Sequence, residues 1–323
     1  MSDALSTGPK TSHAMNNGPR RSYLYHLSEF IQHRWRSIVI IIPYLWLLIF
    51  FLMPFVIVLK ISIAESIIAR PPVSPLFDFA EEGLVNIRII WDNFYLILSD
   101  EFYALTYVNS LRIAAIATLI TLIIGYPLAY AIARATPTAR NILLLMVILP
   151  FWTSFVLRIY AWMGLLRDTG VINSTLIGMG IIDEPIIMMG TETVVILGIV
   201  YSYLPFMVLP LYANMEKLDS SLREAAADLG AKPIATFLTV TLPMTIPGII
   251  AGSLLTFIPA TGEYVIPDIL GQGNVNMIGR VLYDEFTSNR DWPVASAVAI
   301  ALLIILVAPI MYYQHIQSKQ VET

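Results

Sequence analysis

Residues 216–248 read EKLDSSLREAAADLGAKPIATFLTVTLPMTIPG, a polar stretch set between two long apolar runs. Leu218, Leu222 and the Ala225–Ala226 pair recur at helical spacing, and Leu229 continues the pattern. Asp219 or Ser220 can cap the start of this helix, and Gly230 can end it in left-handed geometry. Pro233 suits the first turn of a second short helix, with Pro243 and Pro247 marking where the next apolar run begins. The expected product is a helix–turn–helix at a membrane face. Its Ala225–Ala226–Ala227 patch is small enough for another surface to approach closely. The plainer alternative is an amphipathic helix that packs only on its own chain.

The runs on either side belong to a larger set. The chain is 57% hydrophobic and 13% charged, against about 25% charged in soluble domains. A membrane helix takes about 20 apolar residues. Six runs qualify: Ile38–Leu59, Val108–Ala133, Ile142–Leu165, Val194–Ala213, Ile246–Ile266 and Val294–Tyr313. The first is too long for the core of a cleaved signal peptide and lacks a small-residue cleavage site. The expected class is therefore an all-α integral membrane protein of about six spans. Residues 1–20 are rich in Ser, Gly, Pro and Asn, and residues 23–36 fit a short helix lying on the membrane surface.

Orientation follows the basic residues. Lys10, Arg20, Arg21, Arg34 and Arg36 precede span one. Arg134 and Arg140 lie between spans two and three; Lys217, Arg223 and Lys232 lie between four and five; Lys319 follows six. Both termini and the 216–248 loop are thus expected on the cytoplasmic side. The opposite loops are acidic, with Glu65, Asp78, Glu81, Glu82, Asp92, Asp100 and Glu101 before span two alone. That suits a solvated outer surface, or a field that favours cations or a basic partner. Trp91, Trp162 and Trp292 near outer span ends suit interface aromatics.

Some classes are excluded. A net charge of −4 makes no case for nucleic acid. Without cysteine there is no disulfide framework, and the four histidines (His13, His26, His33, His315) lack metal-ligand spacing. No G-x-x-x-x-G-K-[ST] phosphate loop occurs; Gly230-Ala231-Lys232 is a fragment of one. Scattered outer-loop acids make no catalytic constellation, so the chain is not expected to be an enzyme.

Glu224-Ala225-Ala226, Gly230, then Val240, Leu242 and Pro243 resemble the EAA---G---------I-LP signature of permease subunits of binding-protein-dependent ABC importers. Val240 stands where Ile is usual. The stretches 140–166, 198–212, 258–271 and 289–300 are similar to polyamine importers, above all to the first permease of the putrescine uptake system. The resemblance implies a type I importer permease, with residues 1–37 a cytoplasmic tail, 38–313 the six-span domain and 314–323 a C-terminal tail. Residues 216–244 would be the coupling loop, with Glu224, Ala225, Ala226, Gly230, Leu242 and Pro243 making or shaping contact with a cytosolic ATPase dimer. That partner would bind ATP and Mg; this chain would carry no cofactor. A second, similar permease and a periplasmic polyamine-binding protein complete the implied assembly, in a bacterial inner membrane.

An ionisable group inside a span is a functional candidate. Glu263 is the best, within Pro259-Ala260-Thr261-Gly262-Glu263-Tyr264, where Pro and Gly can break a helix. Its carboxylate can meet an ammonium group, or instead pair with a base such as Arg158 and fix helix packing. Tyr264, Asp268, Trp152 and Tyr160 are further candidates along a cation's route. Trp162, Tyr201 and Tyr203 fit either that role or ordinary packing. The alternatives to a putrescine permease are one for spermidine or another small cation, and a secondary transporter driven by an ion gradient. No internal repeat of the kind common in the latter is visible.

Overall fold

The computed structural model describes residues 37, 39–75, 77–79, 85–87, 89–219 and 221–321; for 77–79, 85–87 and 312–321 it describes the backbone alone. The expected surface helix over 23–36 lies outside the described residues.

The first helix, α1, is Val39–Ser62. Then come a ribbon of β1 (Phe77–Phe79) and β2 (Val85–Ile87), α2 (Asp92–Ser99), α3 (Glu101–Arg134), α4 (Pro137–Ile148), α5 (Phe155–Leu166) and α6 (Val171–Gly178). Next are α7 (Glu192–Met215), α8 (Ser221–Asp228), α9 (Pro233–Thr261), α10 (Val265–Ile269), α11 (Ile278–Thr287) and α12 (Trp292–Val321). Among the described residues, α1, α3, α7, α9 and α12 are each long and apolar enough to cross a membrane. A sixth span is a bent pair, Pro137–Trp152 and Phe155–Gly178, at 91°. The all-α reading holds, with the antiparallel ribbon as a small addition in the loop before α2.

Three expectations about span edges need correction. Span three is not one straight helix: Pro150 opens a tight 3-10 turn over Leu149–Trp152, and the chain bends at Thr153–Ser154. Span two starts earlier, at Glu101, because the Asp100 carboxylate accepts the Phe102 N–H at 2.8 Å and caps the first turn. Span five starts at Pro233 and ends at Thr261, running through Pro243, Pro247 and Pro259. A wide π turn over Phe237–Thr241 makes this possible. Leu242 N–H reaches back five residues to the Phe237 carbonyl, which accommodates the N–H that Pro243 lacks. In α1 the same device covers Leu48–Leu52, just before Met53-Pro54.

The chain divides between Val58 and Leu59 into two compact units. In the larger one, α3, α7 and α9 pack closely on one another. The buried face of α9 is Thr245, Gly248, Gly252, Thr256 and Ala260. A Cβ at Gly252 would stand 2.8 Å from the Met207 sulfur of α7, so small residues set how closely the helices approach. Two clusters build the ends of this core. Ala129, Ile132, Met207, Val208, Leu211 and Met215 fill the end toward α8. Ile113, Ala117, Ile159, Val195, Ile199, Ile266 and Leu270 fill the end toward α10. A third cluster joins α2, α3, α11 and α12 through Ile97, Tyr103, Tyr107, Ile278 and Val298.

Candidate functional site

The α8 turn is encoded almost entirely by its own residues. Asp219 Oδ1 accepts the Ser221 N–H at 2.9 Å and caps the helix. Hydrogen bonds from Ser221 hold the Asp219 carboxyl below the usual carboxylate range. At the other end Gly230 adopts φ +84°. Gly230 N–H meets the Ala227 carbonyl at 2.9 Å and Ala231 N–H the Ala226 carbonyl at 3.0 Å. This is a Schellman closure, which needs the left-handed residue. Space around Gly230 is open, so glycine is there for its backbone and not for its size. Pro233 then opens α9.

No residue of α8 is buried. Glu224 and Ala225 are exposed and Ala226 is partly covered. Leu229 is 89% exposed and Ile234 75%. The chain thus presents a short helix flanked by uncovered apolar side chains. Arg140, at the start of α4, bonds Glu216 at 2.8 Å and ties α4 to the end of α7. Leu242 and Pro243 do not join this surface through α8; they sit past the π turn, in the base of α9.

The opposite end of α9 is organised by distant contacts. The helix stops at Thr261, and Glu263 lies between α9 and α10, 7% exposed. Its Oε1 accepts the N–H groups of Val265 at 2.9 Å, Tyr264 at 3.1 Å and Ile266 at 3.4 Å. Its Oε2 accepts the Tyr203 hydroxyl of α7 at 2.5 Å. The carboxylate therefore caps α10 and fastens it to α7. Gly279 of α11 presses on the same break: a Cβ there would stand 2.2 Å from the Gly262 carbonyl oxygen. Tyr264, 42% exposed, stacks on Tyr283 with centroids 4.9 Å apart. Asp268 lies 3.4 Å from Arg280, which also approaches Asp284 at 3.8 Å.

Trp152 and Tyr160 lie elsewhere, exposed around the α4–α5 bend. Aromatic rings connect the two places. Phe151 meets Phe206 edge-on at 5.3 Å, and Phe206 meets Tyr203 at 5.9 Å. Arg158 does not pair with Glu263; its guanidinium sits over Phe151 at 4.9 Å and Phe155 at 5.7 Å. Trp162 packs against Tyr201 at 5.4 Å. Sequence reasoning missed the roles of Tyr203, Gly279 and Tyr283. Nothing near them in the chain marks them, because their partners lie far away in sequence.

Residues 25–320 match the family described as binding-protein-dependent transport system inner membrane component. The chain belongs to that family. Among relatives of this inner membrane component, the Haemophilus influenzae spermidine/putrescine transport system permease protein PotB is 41% identical over 285 residues, covering 88% of this chain and 95% of that protein. The Escherichia coli K12 protein of the same name is 39% identical over 280 residues, covering 86% and 97%. The inner membrane ABC transporter permease protein YdcU of E. coli K12 is 33% identical, covering 70% and 73%. Among solved structures, a bacterial ABC transporter involved in the import of the acidic polysaccharide alginate superposes with TM-score 0.66 at 17% identity, covering 91% of this chain and 99% of that one. It confirms the family's fold.

Proposed function

We propose that this chain is one of two unlike permease subunits of an ATP-driven importer, carrying polyamines, putrescine among them, inward across a bacterial cytoplasmic membrane. The observation that carries the reading is the exposed α8, with its locally built cap and Schellman stop, in a chain of this family. Its apolar flank and small Ala225–Ala226 face suit a groove on a cytosolic ATPase dimer, which binds ATP and Mg. Both termini then lie in the cytoplasm, and the α10–α11 side faces a periplasmic polyamine-binding protein. The polyamine assignment rests on relatives that are spermidine/putrescine permeases. Because that name joins two polyamines, spermidine is the second reading.

A mechanical route runs through α9. From Pro233 to Thr261 it is one helix of 29 residues, about 44 Å at 1.5 Å per residue. Motion received at α8 and its Gly230 turn passes through Leu242 and Pro243 into this rod and emerges at the Glu263 break. There Tyr264, Asp268 and Glu263 offer a ring face and carboxylates to ammonium groups, and Trp152 and Tyr160 offer further ring faces at the bend. Glu263 spends both oxygens on the chain itself in this state. A substrate ammonium that displaces the Tyr203 hydroxyl removes that tie, leaving α10 held to α7 by the packing of Ile266 and Leu270 against Gly198.

Uptake of labelled putrescine by cells lacking the chain, with and without its return on a plasmid, tests the reading. Restored uptake that excess spermidine competes away, that vanadate stops and that Glu224→Lys cuts by about tenfold or more with normal membrane insertion is the expected result. Uptake independent of the chain overturns the polyamine assignment. Vanadate-resistant uptake overturns the ATPase and favours a gradient-driven carrier.

A further inference from the structure

Where α12 begins its apolar span, the chain holds two arginines that it does not pair. Arg70 lies in the loop after α1, and Arg290 lies between α11 and α12. With Pro71, Pro72, Phe286 and Trp292 they line one cavity of about 550 Å³. Both are exposed, and among the described residues neither makes a hydrogen bond or an ion pair. Trp292 is the first residue of the span Trp292–Met311, and tryptophan at a span end marks the boundary of lipid and water. Phe286 stacks on it with centroids 5.0 Å apart, which gives the cavity an aromatic wall. The loop that carries Arg70 closes on itself: Ser74 N–H meets the Glu65 carbonyl, and Glu65 N–H the Ser74 hydroxyl, each at 2.9 Å.

Two features set this cavity apart from an ordinary hydrated surface. Arg290 has φ +56°, a left-handed conformation that glycine adopts at lower cost. At the stop after α8 the chain uses Gly230 for such a position; here it keeps a long basic side chain, and a residue held in that region points to a function. The loop also carries Ile67 and Ile68 beside Arg70, with Ile68 fully exposed. Water hydrates a guanidinium readily, but it gives no reason for an isoleucine standing free next to one. A lipid surface does. Its acyl region receives isoleucine and tryptophan side chains, and its phosphates lie just outside the span, where Arg290 stands two residues before Trp292. The acids nearest in sequence serve other groups. Asp291 accepts the Val294 N–H at 3.1 Å, and Glu285 accepts the Tyr103 hydroxyl and the Asn289 amide, each at 2.9 Å.

We infer that Arg70 and Arg290 bind the phosphate of an anionic phospholipid, with Phe286 and Trp292 against its glycerol and upper acyl carbons. A guanidinium fork meets phosphate oxygens two at a time, and two such forks select a lipid of net negative charge over a zwitterionic one. The bound lipid ties the loop after α1 to the turn between α11 and α12. The inference depends on insertion in a membrane and not on which solute the chain carries.

The test places the full chain, purified with whatever subunits accompany it, in phosphatidylethanolamine vesicles that contain photoactivatable phosphatidylglycerol. Illumination is expected to label residues 65–75 and 286–292. Arg70→Gln combined with Arg290→Gln is expected to lower that labelling by about tenfold or more, with labelling elsewhere on the chain unchanged. Arg290→Gly is expected to lower it as well while the melting temperature holds or rises, which separates a lipid contact from a structural role of the side chain. Excess inorganic phosphate is expected to leave the labelling intact. Labelling that survives the double substitution, that inorganic phosphate removes, or that photoactivatable phosphatidylethanolamine matches overturns the inference. So does labelling that a periplasmic binding protein displaces, since the cavity would then be a protein contact. The labelling is read without any transport, so its failure leaves the polyamine reading standing, and failure of putrescine uptake leaves the lipid site standing.

Discussion

The two ends of α9 are built by opposite means. At one end, α8 and its stop at Gly230 are held by hydrogen bonds spanning a few residues, and the side chains lie open. At the other, the break at Glu263 is buried and held by Tyr203, sixty residues earlier in sequence, and by the close approach of Gly279 from α11. A surface that meets another protein, as proposed for α8, must keep its shape with its own side chains free. A joint inside the bundle takes its shape from whatever packs around it. The first should therefore tolerate changes in distant residues, while the second should not.

The largest stability effect is expected at the buried end. Glu263→Ala removes the acceptor of three N–H groups and strands the Tyr203 hydroxyl, at a cost of about 3 kcal/mol, read as a lower melting temperature of the purified complex. Tyr203→Phe is expected to cost less, about 1 to 2 kcal/mol. An unchanged melting temperature in both would show that packing alone holds the break. At the open end the expectation inverts. Glu224→Lys leaves melting unchanged and cuts uptake by about tenfold or more, about 1.4 kcal/mol of coupling; a lowered melting temperature would mean that α8 belongs to the core.

Gly230→Ala forces a Cβ into φ +84° and is expected to cost about 1 kcal/mol locally. Hydrogen exchange confined to residues 221–231 would show it, and exchange spreading into α9 would break the picture of an independent turn. The smallest effect concerns the Asp219 cap. Its carboxyl titrates below the usual range because Ser221 donates to it. The cap is therefore complete above the ordinary carboxylate pKa and is lost as pH falls through the lowered one. Asp219→Ala should abolish that acid-side rise in α8 exchange without touching exchange at α10.

Much was legible in the chain because its causes are local. Apolar runs marked six spans, of which the third is a bent pair, and Asp219, Gly230 and Pro233 marked the turn. Pro150 carried the signal for the bend in span three, but a proline alone does not say whether a helix will kink, widen or continue. Pro54 and Pro243 follow π turns, Pro259 sits inside a continuous helix, and Pro150 opens a right-angle bend. What differs is the packing around each.

By itself the sequence determined that the protein lives in a bilayer, that its spans are helices, and that an ordered polar turn separates two of them. Hydrophobicity and backbone hydrogen bonding within a few residues suffice for those. Only the tertiary structure decided that Glu263 serves Tyr203 and the start of α10, that Arg158 stands on phenylalanine rings with no acid paired to it among the described residues, and that Gly279 fits against the break. Each depends on atoms brought together from remote parts of the chain, where a carboxylate's or a guanidinium's partner is set by which helix faces pack, a matter no local pattern records.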